Sequence, residues 1–150
     1  IPMQLIVGKI SQLGIGWNER RLNEDDFHNI CKRFKISVTE MPLTVSGFYY
    51  RVTGKDFIAV NSKLSGPKKT LVLFHELGHF LLHTPDTGAT ANFHGIGRRS
   101  RKEIEADAFA LCSIIPRPVL ESRSICELID DGIDPDALRE RVEVYRRFGI

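Results

Sequence analysis

The stretch Leu71 to His83, LVLFHELGHFLLH, decides how the rest of the chain is read. It contains His75-Glu76-Leu77-Gly78-His79, an H-E-x-x-H pattern. On an α-helix, residues four apart stand one above the other on the same face. The imidazoles of His75 and His79 can therefore aim at a single point, as two ligands of one metal ion must. Glu76 projects from the neighbouring sector, where a carboxylate can take a proton from a water beside the metal. The chemistry this implies is metal-assisted hydrolysis, with His75 and His79 as ligands and Glu76 as base.

The flanking residues support a buried position for that helix. Leu71, Val72, Leu73, Phe74, Leu77, Phe80, Leu81 and Leu82 leave little polar surface apart from the His/Glu group. A helix that is apolar nearly all round is a core helix. Two histidines and a glutamate inside it are costly unless something satisfies them. A metal ion does so; the plainer alternative is a core helix whose imidazoles bond to backbone carbonyls. His83 continues the four-residue series but drifts round the helix, and reads as a structural hydrogen-bonding residue rather than a ligand.

A catalytic zinc site needs a third protein ligand. The segment Glu103-Ile-Glu105-Ala-Asp107 supplies candidates. Glu103 and Asp107 are four apart and face the same way. Glu103 can complete a His₂Glu set, while Asp107 accepts a hydrogen bond from the far nitrogen of one zinc-bound histidine and fixes its orientation. Two observations compete with this. Ser100-x-x-Glu103 is also a capping box, in which the glutamate only closes a helix N-terminus. Glu105 stands as the rival ligand, well round the helix from Glu103. The pairing with Asp107 favours Glu103.

Residues 1–16 mix apolar residues with Gly8, Gly14 and Gly16, and read as a strand, an ordered arm, or residues foreign to the natural chain. Asn23 followed by Glu-Asp-Asp opens a helix over Glu24 to Phe34, with Phe27, Ile30, Cys31 and Phe34 at helical spacing. Ile36-Ser-Val38 reads as a short strand. Phe48 to Val52 and Phe57 to Ala59-Val60 read as a hairpin closed at residues 53–56. Residues 84–97 read as a long loop, followed by the basic cluster Arg98, Arg99, Arg101 and Lys102, taken as a solvated face. Ser100 to Ile115 is helical and is ended by Pro116 and Pro118. Two further helices follow, one over Val119 to Ile129 and one starting at Asp134-Pro135. The expected class is α+β: a small antiparallel three-stranded sheet packed on four to five helices, with residues 1–150 forming one domain and 117–150 its helical C-terminal part.

Length and composition are ordinary for a globular domain with its own core. The net charge of +2 is too small to argue for a nucleic-acid or anionic-membrane partner. No apolar run reaches the length of a membrane span, and the first residues show no signal-peptide pattern. Cys31, Cys112 and Cys126 are widely spaced and form no C-x-x-C pair, which suits a reducing compartment and speaks against a cysteine-rich zinc site. The cytoplasm is the expected location.

HELGHFLLH, a polar loop, E-x-E-A-D-x-F-A and a following proline together resemble the ImmA/IrrE family of metallopeptidases, within the thermolysin-like glutamate-zincins. The likeness reaches upstream to a Gly-Phe-Tyr-Tyr strand, a glycine turn and an Ile-x-Val-Asn strand, covering residues 24–120. The resemblance implies a zincin-like fold. It also implies a zinc ion (with manganese or iron as alternatives) held by His75, His79 and Glu103, and Glu76 as base. It further implies an intracellular endopeptidase that cuts a helix-turn-helix repressor and so relieves repression in phage, mobile-element or stress circuits. No helix-turn-helix segment is evident, so the chain reads as a free-standing or excised catalytic domain. An oxyanion helper beside the metal is expected from His94, Tyr49, Tyr50 or Arg98. Two other classes stand beside this reading: a regulatory zinc-containing module that cleaves only when activated, and a structural zinc domain that recognises a repressor or DNA through the basic loop. An acidic Glu76 favours chemistry, because a purely structural site has no use for a base.

Overall fold

The computed structural model describes residues 3–83 and 100–150. Its centre is a helix that runs beneath a small sheet and against a second long helix. Helix α1 spans Met3–Ser11 and α2 spans Glu24–Arg33. Strands β1 (Ile36–Met41), β2 (Gly47–Val52) and β3 (Lys55–Asn61) follow. Helices α3 (Gly66–His83) and α4 (Arg101–Ile114) carry the motifs, and α5 (Arg117–Ser122), α6 (Ile125–Asp130) and α7 (Pro135–Phe148) complete the described residues. The architecture is α+β.

Local chemistry explains most element boundaries. Asn23 caps α2 in a reciprocal capping box with Asp26, and Phe27, Ile30 and Cys31 form its buried face. Asp134 caps α7, Pro135 opens it, and Gly149 closes it in the left-handed conformation at φ 71°. The β2–β3 hairpin turns at Thr53 and Gly54, both at positive φ (53° and 73°). Two such residues make the turn whose twist matches the flanking strands.

The sheet order is β1-β3-β2, and here the expected antiparallel arrangement is corrected. β2 pairs antiparallel with β3, from Gly47 opposite Val60 to Val52 opposite Lys55. β1, however, runs parallel to β3, with Ile36 opposite Asp56 and Met41 opposite Asn61. The sheet is mixed because residues 42–46 carry the chain over one end of the sheet, from one edge to the other. Asn61 pins that crossing: its side-chain amide donates to the carbonyls of Leu43 (3.1 Å) and Val45 (3.3 Å), and its backbone N–H to that of Ser46 (2.8 Å). A hairpin signal reports on its own two strands and says nothing of the third.

Residues 3–11 are helical rather than an arm or strand. Ile6 and Ile10, four apart, are both buried on one face. The expected helix over Val119 to Ile129 is two short ones, because Arg123 is extended (φ −113°, ψ 145°) and Ser124 opens a new capping box with Glu127. The described residues thus hold seven helices, more than the four to five expected.

The core runs through α3. Phe74 packs edge-on to Phe27 of α2 (ring centroids 5.8 Å apart) and lies 6.3 Å from Phe109 of α4, which stacks on Trp17 at 6.0 Å. Each such buried aromatic or aliphatic side chain contributes about 1.5–3 kcal/mol. Lys69 near the start of α3 pairs with Glu24 of α2 (2.8 Å) and Glu40 of β1 (2.7 Å), tying helix, helix and sheet together. Among the described residues no helix is long and apolar enough to cross a membrane.

Candidate metal centre

α3 and α4 approach each other closely at one point, and that contact sets the site. A Cβ on Gly78 would lie 3.1 Å from Phe109 Cδ2 and 3.3 Å from Ala106 Cα, so glycine here lets the two backbones meet. One turn of α4 on the N-terminal side of Ala106 lies Glu103. On α3, His75 and His79 flank the same contact. All three side chains point into the seam between the helices.

The resulting distances are short and mutual. His75 Nε2 lies 3.1 Å from Glu103 Oε2, His79 Nε2 lies 3.0 Å from Glu103 Oε1, and the two Nε2 atoms are 3.3 Å apart. Behind His75, its Nδ1 lies 2.6 Å from Asp107 Oδ1. Behind His79, its Nδ1 lies 3.1 Å from His83 Nδ1, and His83 Nε2 lies 3.4 Å from Glu105 Oε2. Both imidazoles are buried, while the Glu103 side chain keeps 22% of its exposure.

Glu103 also resolves the capping ambiguity. Its backbone N–H donates to Ser100 Oγ (3.2 Å), so Ser100 does cap α4. Its carboxylate turns instead to the two imidazoles, leaving only half of a capping box. Glu105, the rival ligand, is buried but stands with His83, outside the group of three.

Electrostatics at the site pull in two directions. Burial alone would raise the Glu103 pKa, but hydrogen bonds with His75 and His79 outweigh it and hold the carboxyl well below the usual range. Burial pushes His79 below the ordinary imidazole value, against the pull of Glu103. Burial and the neighbouring His79 do the same to His83, opposed by Glu105. Glu103 thus draws positive charge towards it while burial resists charging the ring at His79. A divalent cation between them satisfies both, leaving neutral imidazole lone pairs and an ionised carboxylate as ligands. Ligands at about 2.0–2.1 Å from a tetrahedral ion stand about 3.3 Å from one another. The observed separations of 3.0–3.3 Å fit that spacing. Among the described residues, His75, His79 and Glu103 are a group able to hold a metal ion.

Glu76 is fully buried between α3 and the start of β2. A Cβ on Gly47 would lie 3.6 Å from Glu76 Cγ and only 2.7 Å from the Ala59 carbonyl oxygen. Glycine at the first residue of β2 therefore lets the strand run close beside the Glu76 side chain. Tyr49 is buried and its hydroxyl donates to Asp56 Oδ1 (2.6 Å) within the sheet. Tyr50 is half-buried and stacks on Phe57 at 4.9 Å. His94 and Arg98 lie outside the described residues. Sequence reasoning passed over Gly47 and Gly78, whose roles depend on what faces them across a tertiary contact. The sequence marks His83 as a hydrogen-bonding residue, but its partner Glu105 on the second helix shows only where α3 meets α4.

The model of the IrrE N-terminal-like domain, Peptidase_M78, matches residues 31–146 of the chain. A relative in Bacillus phage phi105, named uncharacterized immunity region protein 2, is 29% identical over 89 residues, covering 59% of this chain and 56% of its own length. The chain thus spans little more than half of that relative. No solved structure matches the chain.

Proposed function

Because the chain belongs to the M78 peptidase family of IrrE N-terminal-like domains, we propose that it is a zinc-dependent endopeptidase that cuts a helix-turn-helix repressor in the cytoplasm. One observation carries the catalytic part: two imidazole nitrogens and a carboxylate converge at 3.0–3.3 Å, with a fully buried glutamate next to one of them in sequence. In this reading His75, His79 and Glu103 hold the ion and Asp107 orients His75. The repressor as substrate is supported by the relative from a phage immunity region. The three cysteines, all free, suit a reducing compartment.

When bound, the ion would act as a Lewis acid on the scissile carbonyl and lower the pKa of the attacking water. Glu76 takes the proton of that water and passes it to the leaving amine. Among the described residues β2 pairs with β3 alone. A substrate segment laid as an extended strand along the other side of β2 would pass Gly47 and the Glu76 carboxylate, gaining backbone hydrogen bonds as it does so.

The test is incubation of the zinc-loaded protein with candidate helix-turn-helix repressors, in parallel with Glu76→Gln. Site-specific cleavage by the wild type alone is the expected result. Binding without cleavage by either protein would favour a recognition module instead, and equal cleavage by both would remove Glu76 as base.

A further inference from the structure

We propose that His83 and Glu105 are positioning residues for His79, forming a two-step hydrogen-bonded relay that holds its ring in one tautomer with Nε2 bare. The inference rests on the metal site proposed above and adds to it a pair of side chains assigned to neither coordination nor proton transfer.

The direction of the relay follows from proton counting. A neutral imidazole carries one N–H. His79 Nε2 faces Glu103 and His75 and must present a lone pair there to act as a ligand. Its proton therefore sits on Nδ1. The atom 3.1 Å away is His83 Nδ1, which must accept. The single proton of His83 is then on Nε2, and 3.4 Å beyond it is Glu105 Oε2, a carboxylate that can only accept. Each contact has one donor and one acceptor, and no other assignment of neutral rings leaves His79 Nε2 bare.

The two metal-facing histidines then have equivalent support built in different ways. His75 leans directly on Asp107 at 2.6 Å. His79, one turn further along α3, has His83 behind its Nδ1 instead, and Glu105 stands behind His83. One helix, α4, thereby supplies a ligand candidate and the anchors behind both imidazoles, at Glu103, Asp107 and Glu105. The burial of Glu105 is otherwise costly: its side chain is 7% exposed, and Arg101 Nε, at 3.9 Å from Oε1, is a distant partner on a largely exposed side chain.

The test uses the full chain and two readouts, zinc affinity by chelator competition and imidazole tautomers by long-range proton–nitrogen NMR. His83→Asn keeps an acceptor oxygen where Nδ1 stands, whereas His83→Leu keeps bulk and removes the acceptor. Loss of a partner behind a ligand weakens metal binding by about 10–100-fold. His83→Leu is expected to show that loss and His83→Asn to recover most of it. Glu105→Gln, which still accepts but without charge, should fall between. The NMR of the wild type should show Nδ1–H on His79 and Nε2–H on His83. Equal affinities for the Leu and Asn variants, unchanged affinity in His83→Leu, or a protonated His83 Nδ1 would overturn the relay. Should His83→Leu not fold, Glu105→Gln and the wild-type spectrum decide. A wild type that binds zinc tightly while the variants do not differ rejects the relay alone; a wild type that binds no zinc removes the metal site and the relay together.

Discussion

Gly78 of α3 and Ala106 of α4 stand so close that a Cβ on the glycine would meet Ala106 Cα at 3.3 Å and Phe109 Cδ2 at 3.1 Å. Since Glu103 reaches the histidines from α4, this contact sets the spacing of the whole group. Gly78→Val improves helix propensity but forces the two helices apart. Overpacking of this kind costs about 1–3 kcal/mol. Urea unfolding should show that loss, and zinc affinity should fall with it; unchanged affinity would mean the contact does not govern the site.

Glu76→Gln keeps the shape of the side chain and removes its basicity. Removing a general base costs about 10²–10⁴-fold in turnover. Zinc content, measured on the purified variant, is expected to match the wild type, because Glu76 is not among the three converging side chains. Loss of zinc together with activity would reassign Glu76 to coordination.

Acid should destabilise the chelator-treated protein. His79 and His83 both lie below the ordinary imidazole value of 6.5, chiefly through burial. Below 6.5 the unfolded chain therefore binds protons that the folded chain does not. Stability from the neutral rings is complete above 6.5 and is lost as pH falls towards the folded values. Glu103, depressed below 4.5, adds a loss of the same sign at lower pH. The limit is about 1.4 kcal/mol per pH unit for each group. Urea midpoints should fall steadily between neutral and mildly acidic pH, and a flat profile would contradict the assignment.

Arg141 of α7 is fully buried and donates to three oxygens: the Ile115 carbonyl (2.6 Å), the Ile150 carbonyl (2.9 Å) and Asn18 Oδ1 (3.2 Å). It joins α7 to the end of α4 and to the segment before α2. Arg141→Met keeps much of the volume but strands the Ile115 carbonyl, whose bond to Arg141 is buried, while Asn18 Oδ1 keeps the Arg117 N–H (2.9 Å); a stranded buried group costs about 1–3 kcal/mol. A lower thermal midpoint with unaltered zinc stoichiometry is expected. Loss of zinc in the folded variant would show that α7 reaches the metal site.

The parts legible in the sequence were those in which chemistry is local. His75, Glu76 and His79 sit within one turn of a single helix, so their spacing alone carries the geometry. The caps at Asn23 and Asp134 are equally local. Glu103 was harder, since Ser100 offered it a second use, and only the meeting of α3 with α4 separates the two. β1 was misread in direction because nothing in its residues encodes which way its partner runs; the crossing pinned by Asn61 does. α1 was obscured by Gly8 in its middle, although Ile6 and Ile10 already marked its buried face.

The single tryptophan of the chain, Trp17, donates from its indole nitrogen to the Phe109 carbonyl (2.9 Å) and stacks on the Phe109 ring. Phe109 is also the ring that meets Gly78. An intrinsic fluorophore is therefore wired to the joint between the two helices that carry the candidate metal site. Its emission wavelength and quenching should respond when that joint tightens or loosens, which allows ion uptake to be followed without a label, a dye or knowledge of the substrate.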